Sequence, residues 1–432
     1  MGIAESGSQI FDRLIHLIND HSINAWFPRS LDLEYGGFYS DFDRRWQLNG
    51  TQDKLIEFQA RQTLFAAEAL LVFPENKALR EALDHGFCYL KNTMWDKKFG
   101  GWYHRLDRKG FLLESGTKHA HGAAYAILAC VAVFEATGSN EALEHAKQGF
   151  NWLEQSAFDS CFGGYFGFQN KDGTPILETA NSPLDSACDT VGTRIGLKDI
   201  NVHSDLLETF TRLYLAWPDP LLERRLLDLI DLMINKMLIF SGPLPFFYMR
   251  DWTPYPHVIN FGYQLQTVFR LIQARKHFSN EEKLKQIVKQ LIEHTLVYGH
   301  DNRRGGFYYA GPGCAPCEIQ GHKMVVEKKV WWIQVEALKA FLALSELCPE
   351  NMTYYNHFNA QLEYFLANFI DRKWKGSYLS ISSSKYLPLV KLKSRFLNYQ
   401  PHQKGNVWKD SSHDGRTWLY CLSIIKKRQF PS

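Results

Sequence analysis

The chain has no strong charge of either sign. Its 49 Lys and Arg stand against 46 Asp and Glu over 432 residues, a net of +3. That balance gives no electrostatic basis for binding nucleic acid or an anionic membrane. Long apolar runs are missing too. The longest, Gly122 to Phe134, falls short of the roughly 20 residues that span a bilayer. Met1 to Gln9 is small and polar, with neither the basic start nor the apolar core of a secretory signal. No Pro- or Ser-rich stretch divides the chain, and no nucleotide-binding motif is visible. Cysteines are few and scattered. Of eight, only Cys314-Ala-Pro-Cys317 has a suggestive spacing, and His322 alone is too little to complete a zinc site. Reduced thiols in a cytoplasmic protein are the expectation.

Paired glycines are present at intervals. Asp32-Leu-Glu-Tyr-Gly-Gly-Phe-Tyr39 returns as Asp96 to Tyr103, Asp159 to Phe166 and Asp301 to Tyr308, with a worn copy from Asp371 to Tyr378. The second glycines fall at 37, 101, 164, 306 and 376. The wide gap between 164 and 306 has room for one degenerate copy, at Pro243 to Tyr248. A fixed period argues for one domain, residues 1–432, made of equivalent units. Gly-Gly permits positive φ, so each copy reads as a sharp turn followed by a strand edge or a cavity wall. The plainer reading is a hairpin that only connects helices.

Between the hairpins the apolar spacing is helical. Helices are expected over about 6–25, 54–72, 77–94, 118–136, 141–156, 203–216, 220–239, 262–277, 281–298, 330–347, 352–370 and 413–427, two per repeat. Leu206, Leu207, Phe210, Leu213, Tyr214 and Trp217 form one such stripe, stopped by Pro218. The architecture expected is an all-α (α/α)6 barrel with short β-hairpins gathered at one mouth. Two connections, about 157–202 and 371–412, are long enough to suggest function.

Several side chains could serve such a mouth. Arg61 could fork onto sugar hydroxyls or sit in an ion pair. His121, in Lys118-His-Ala-His121, could reach a ligand or belong to a helix start. His203 stands at the expected start of its helix, with Asp205 and Glu208 three residues apart on one face. That pair could equally be an acidic first turn suited to the helix dipole. Trp332 and Glu336 are one turn apart, an indole beside a carboxylate, as a pyranose would use; core packing is the alternative. Trp408, His413 and Arg416 crowd the start of the last helix, and His is the side chain suited to proton transfer at neutral pH. The chain is 14% aromatic, which also suits sugar stacking.

Taken together, Gln59-Ala-Arg61, the Gly-Gly hairpins, Asn201-Val-His203 with Glu208, Trp331-Trp332 with Glu336, and Trp408-Lys409 with His413 resemble the N-acylglucosamine 2-epimerase family over nearly the whole chain. The resemblance implies an (α/α)6 barrel with a metal-free, cofactor-free site acting on a mono- or disaccharide. It implies proton transfer at C2 of a reducing sugar through an enediolate, giving a 2-epimer or a ketose. It casts His413 as one acid/base histidine, Arg61 as the holder of the enediolate oxygens, and Trp332, Glu336 and Trp408 as sugar contacts. It leaves room for a homodimer.

The match departs at the family's Gly-His-x-x-Glu. Here the segment reads Asn260-Phe-Gly-Tyr-Gln-Leu-Gln266, so Tyr263 replaces the second catalytic histidine and Gln266 the glutamate. Asp205 stands where related chains carry a further histidine. For Tyr263 to act as a base near pH 7, its pKa must fall by about three units, roughly 4 kcal/mol. Tyr263 is expected to face His413 across the cavity as second proton carrier, with His257, His121 or His203 as other sources of an imidazole. A sugar-binding relative with little turnover, or a glycoside hydrolase in the same barrel, is the alternative function.

Overall fold

Twelve main helices stand among the described residues of the computed structural model, which are 7–177, 195–238, 242–255, 259–278, 280–311, 318–319, 322–323, 326–381 and 402–429. Cys314, Cys317, His257 and parts of both long connections lie outside them. Six helices form an inner ring: α2 (Ile56–Val72), α4 (Ala120–Thr137), α6 (Ile200–Ala216), α8 (Phe261–Gln273), α10 (Trp331–Leu347) and α12 (Ser412–Gln429). Each packs on its two neighbours, and α12 closes on α2. The other six lie outside, each against the inner helix of its unit: α1 (Gly7–His16), α3 (Lys77–Tyr89), α5 (Asn140–Ser156), α7 (Pro220–Leu232), α9 (Glu281–His294) and α11 (Met352–Asn368). This is the (α/α)6 barrel expected.

Local chemistry sets the helix ends. The outer helices α3, α5, α7, α9 and α11 start on Asn76, Ser139, Asp219, Asn280 and Asn351, whose side chains accept first-turn N–H groups. Wide π-type turns, Leu90–Met94, Met233–Met237 and Thr295–Gly299, extend three of them to the ends expected from periodicity. The apolar run around Gly122 belongs to α4, whose 18 residues are long enough to cross a membrane; it is instead 78% buried in the ring. Three inner helices, α2, α4 and α10, begin one or two residues later than periodicity suggests, because the residues before them are strands, whereas α6, α8 and α12 begin one to three residues earlier. Five two-stranded antiparallel pairs join successive units, beginning with Lys54–Leu55 on Arg105–Leu106. A single bridge, Phe42 to Gly405, closes the sixth junction.

The Gly-Gly hairpins all meet the N-terminal end of the inner ring, and they are built on one device. In each of five copies the leading Asp accepts two backbone N–H groups of its own turn through Oδ1. Its Oδ2 ion-pairs with a buried lysine: Asp32–Lys54 at 2.9 Å, Asp96–Lys118 at 2.9 Å, Asp159–Lys198 at 2.9 Å, Asp301–Lys329 at 2.7 Å and Asp371–Lys404 at 3.0 Å. The second aromatic of the hairpin covers the ammonium, from 5.0 Å (Tyr378 on Lys404) to 5.6 Å (Tyr103 on Lys118, Phe166 on Lys198). The second aromatic of each copy thus serves this lysine, and the first, Phe38, Trp102, Tyr165 or Phe307, is buried in the core. The glycines are required: Gly306 has φ +73°, and a Cβ there would fall 2.1 Å from Tyr364.

The degenerate fourth copy lacks the device as a pair. Leu238 stands four residues before Gly242, where the others carry Asp, and Ile259 stands two residues before α8, where Lys329 stands before α10. Breaking a buried ion pair by removing one partner costs about 3–5 kcal/mol, whereas replacing both with apolar residues is often neutral. Asp301→Ala should therefore destabilise the protein by about 3–5 kcal/mol in urea unfolding. Asp301→Leu with Lys329→Ile, a copy of the fourth unit, should regain half of that loss or more.

Candidate active site

A cavity of about 460 Å³ opens at the hairpin end of the ring. Its size lies within the roughly 300–1,000 Å³ of small-molecule sites. The inner helices supply it in register. Their second residues are Glu57, His121, Asn201, Gly262, Trp332 and His413; their sixth residues are Arg61, Tyr125, Asp205, Gln266, Glu336 and Thr417. Second and sixth positions are one turn apart on one face. Of these, Arg61, His121, Asn201, Gln266, Trp332 and His413 line the cavity, joined by Tyr263, Tyr309, Lys328 and Trp408.

His413 is held by Glu336. Its Nδ1–H donates to Glu336 Oε1 at 2.9 Å, and the far oxygen ion-pairs with Lys339 at 2.8 Å. Burial opposes ionisation of Glu336, but Lys339 and His413 outweigh it and bring its pKa down to about 2. A carboxylate on Nδ1 fixes the tautomer that leaves the Nε2 lone pair for a substrate. Trp331 and Trp332 flank the ring, with centroids 6.0 and 5.8 Å away.

His121 is in the opposite condition. Its Nδ1–H donates to Glu57 at 3.0 Å, and Asp205 Oδ2 lies 2.7 Å from Nε2. Burial favours the neutral ring, but Asp205 and Glu57 override it and raise the pKa to about 9. His121 is an imidazolium with a carboxylate on each nitrogen. Beside it, Arg61 lies over the Tyr125 ring, 4.0 Å from its centroid, and faces Asp410 at 3.8 Å. Beneath them, Arg270 pairs with Asp205 and with Glu208 at 3.0 Å, and Arg416 joins Glu208 at 2.6 Å to Glu68 at 2.8 Å. The cavity thus has a cationic wall on a compensated floor.

Seven of the ten residues singled out by sequence line the cavity: Arg61, His121, Tyr263, Gln266, Trp332, Trp408 and His413. Glu336 and Asp205 do not. They stand behind His413 and His121, with their oxygens committed to cations. His203 is elsewhere. Asp199 caps α6, so the helix starts at Ile200 and His203 is its fourth residue. There its Nε2 accepts the Tyr165 N–H at 2.9 Å and its Nδ1–H donates to the Asp199 carbonyl at 2.7 Å. Gln59, Gln264 and Gln334, the fourth residues of α2, α8 and α10, clip hairpin backbone in the same way. His203 is a hairpin clip, not a sugar contact.

Tyr263 also differs from the expectation. It lies beside Trp332, ring centroids 5.2 Å apart, with Phe246 at 5.1 Å on its other side. Burial pushes its phenol well above the ordinary value, opposite to the shift that a base needs. Trp332 touches both rings, its centroid 5.2 Å from that of Tyr263 and 5.8 Å from that of His413, and all three residues line the cavity.

Asn201 and Tyr309 escaped the sequence reading. Asn201 could have been found as the second residue of an inner helix, and Tyr309 as the third aromatic of the Asp301 hairpin. Glu57, His119 and His121 each offer a ligand atom within 4.8 Å of the others. However, His119 Nδ1 accepts the His121 backbone N–H at 3.1 Å, and His121 is protonated, so the group is a hydrogen-bonded charge network rather than a metal cradle.

Fold and cavity define the class: an (α/α)6 barrel with a histidine–carboxylate dyad at its mouth. Comparison with known proteins supplies the family. Residues 37–188 and 197–394 match the N-acylglucosamine 2-epimerase family, to which the chain belongs. It is 28% identical over 324 residues to a cellobiose 2-epimerase of Bacteroides fragilis, covering 74% of this chain and 78% of that protein. Its fold is similar to the solved cellobiose 2-epimerase of Spirochaeta thermophila DSM 6192, with a TM-score of 0.82, 22% identity and 98% of each chain covered. It is also similar to a D-mannose isomerase structure, with a TM-score of 0.77, 19% identity, and 99% of this chain and 100% of that one covered.

The His121 charge has a measurable signature. Its folded pKa is above the unfolded value, so its stabilisation is complete below about pH 6.5 and is lost as pH rises through about 9. The stability difference between wild type and His121→Gln should shrink by about 3 kcal/mol between pH 6.5 and 9.5. A pH-independent difference would mean that the ring is neutral.

Proposed function

We propose that this chain moves the proton at C2 of a reducing mono- or disaccharide through an enediolate, as a sugar 2-epimerase or aldose–ketose isomerase. The observation that carries the reading is the His413–Glu336 pair, with the free Nε2 side of the imidazole turned to a cavity walled by Trp332 and Trp408. His413 takes the C2 proton. Glu336 stabilises the imidazolium that forms, as a carboxylate on Nδ1 does in hydrolytic triads. Arg61 and His121 supply positive charge where the enediolate oxygens gain negative charge. The indoles stack on the sugar ring. Gln266 and Asn201 offer hydrogen bonds to its hydroxyls. A cytoplasmic location, a single domain and a homodimer complete the proposal from sequence.

Hydrolysis is disfavoured. A glycosidase needs one carboxyl group kept protonated as general acid. Asp205, Glu208 and Glu336 are all held below the usual carboxylate range: burial opposes ionisation in each, but Arg270, Arg416 and Lys339 respectively override it.

His413→Asn should reduce exchange of the C2 proton into D₂O by about 10²–10⁴-fold, the usual cost of a general acid/base group, with the melting temperature little changed. Exchange that survives this substitution would remove His413 from the mechanism. Trp408→Ala should raise KM about tenfold, near 1.4 kcal/mol, without unfolding the protein. A large stability loss at unchanged KM would make Trp408 a core residue.

A further inference from the structure

Epimerisation and isomerisation ask different things of a site. To invert C2, a proton leaves one face of that carbon and another arrives on the opposite face, so acid/base groups are needed on both sides. To convert an aldose into a ketose, the C2–H bond breaks and a C1–H bond forms on the same face of a cis-enediolate. The O2 hydroxyl proton passes to O1, C1 is reduced and C2 is oxidised within one molecule. A single base suffices.

Taking the reading above as given, we infer that His413 is the sole proton carrier to carbon, so the chain is a one-face aldose–ketose isomerase rather than a 2-epimerase. The inference follows from the lining of the cavity among the described residues. His413 has one ring nitrogen tied to Glu336, and its imidazole makes no second hydrogen bond among the described residues. His121 Nδ1 is hydrogen-bonded to Glu57 at 3.0 Å, and its Nε2 is crowded by Asp205 Oδ2 at 2.7 Å and the Arg61 guanidinium at 3.5 Å, so neither nitrogen is open to a substrate carbon. Arg61 stays charged throughout. Lys328 is exposed at the rim. Tyr263 and Tyr309 are phenols whose burial favours the neutral form. Tyr263, which the resemblance sets at the second acid/base position, packs against Trp332 and Phe246, and its neighbour Gln266, which accepts from Arg270 at 3.5 Å, offers no carboxylate. Tyr263 remains a neutral hydroxyl suited to a sugar oxygen, not to carbon. The substrate class narrows accordingly. C2 must carry a hydroxyl rather than an acylamino group, since only then does the same-face transfer end in a stable ketone.

The test uses the full chain with D-mannose, D-glucose and cellobiose in D₂O, followed by NMR of early products. The expected result is a ketose from at least one sugar, carrying deuterium at a single stereochemical position on C1. The remaining aldose should keep its C2 configuration. Tyr263→Phe should lower this activity about tenfold, the loss of one hydroxyl contact to a sugar oxygen, well short of the 100-fold or greater loss that removal of a proton carrier brings. Tyr263→His with Gln266→Glu should begin to release the 2-epimer. Formation of a 2-epimer by the wild type at a rate comparable to the ketose would overturn the inference while leaving C2 proton transfer intact. Absence of C2 exchange with all three sugars would overturn the proposed function together with it.

Discussion

A buried lysine is the constraint on which this barrel depends. In five of six units an ammonium sits between the carboxylate of a hairpin Asp and an aromatic face. Four of those lysines also donate to a hairpin backbone carbonyl. Such an ion is costly to bury and costly to strand once buried, so it admits little freedom of register. Because in four units the lysine stands two residues before an inner helix, it fixes where that helix begins. The second and sixth residues then point inward in every unit, and the cavity is lined as a consequence. Geometry set by one repeated contact thereby positions chemistry that is not repeated at all.

The two cavity histidines illustrate how neighbours divide a residue type into roles. One carboxylate on one nitrogen leaves His413 able to accept and return a proton. Two carboxylates, one on each nitrogen of His121, make a fixed cation. Burial alone would keep His121 neutral. The charges are closed off below by Arg270, Glu208, Arg416 and Glu68, which explains how so many ionised groups coexist in the ring.

Much of the fold was legible because its signals are local. The Gly-Gly period, the helix-capping Asn, Ser and Asp residues and the apolar stripes each act within a few residues, and together they specify twelve helices and six hairpins. The face of a helix is also readable, which is why Arg61, Trp332 and His413 were found. Partners are not readable. Nothing in Asn201-Val-His203 says that the imidazole is spent on Tyr165, since three other units use Gln for the same bond. Glu336 and Asp205 looked like sugar contacts because a carboxylate one turn from an aromatic or a histidine could serve either a ligand or that neighbour. Tyr263 reads in sequence as a departure from the motif that the resemblance implies, but only its burial beside Trp332 and Phe246 shows which way its pKa moves.

The central claim is that one imidazole serves both sugar carbons from one side. A crystal structure with an acyclic polyol, D-mannitol or the alditol of cellobiose, addresses it directly. The account predicts C1 and C2 both within about 3.5 Å of His413 Nε2, near-attack distance, with the Tyr263 hydroxyl on an oxygen of the polyol. A bound polyol with the Tyr263 hydroxyl or His121 against the opposite face of C2, or with His413 remote from both carbons, would contradict it.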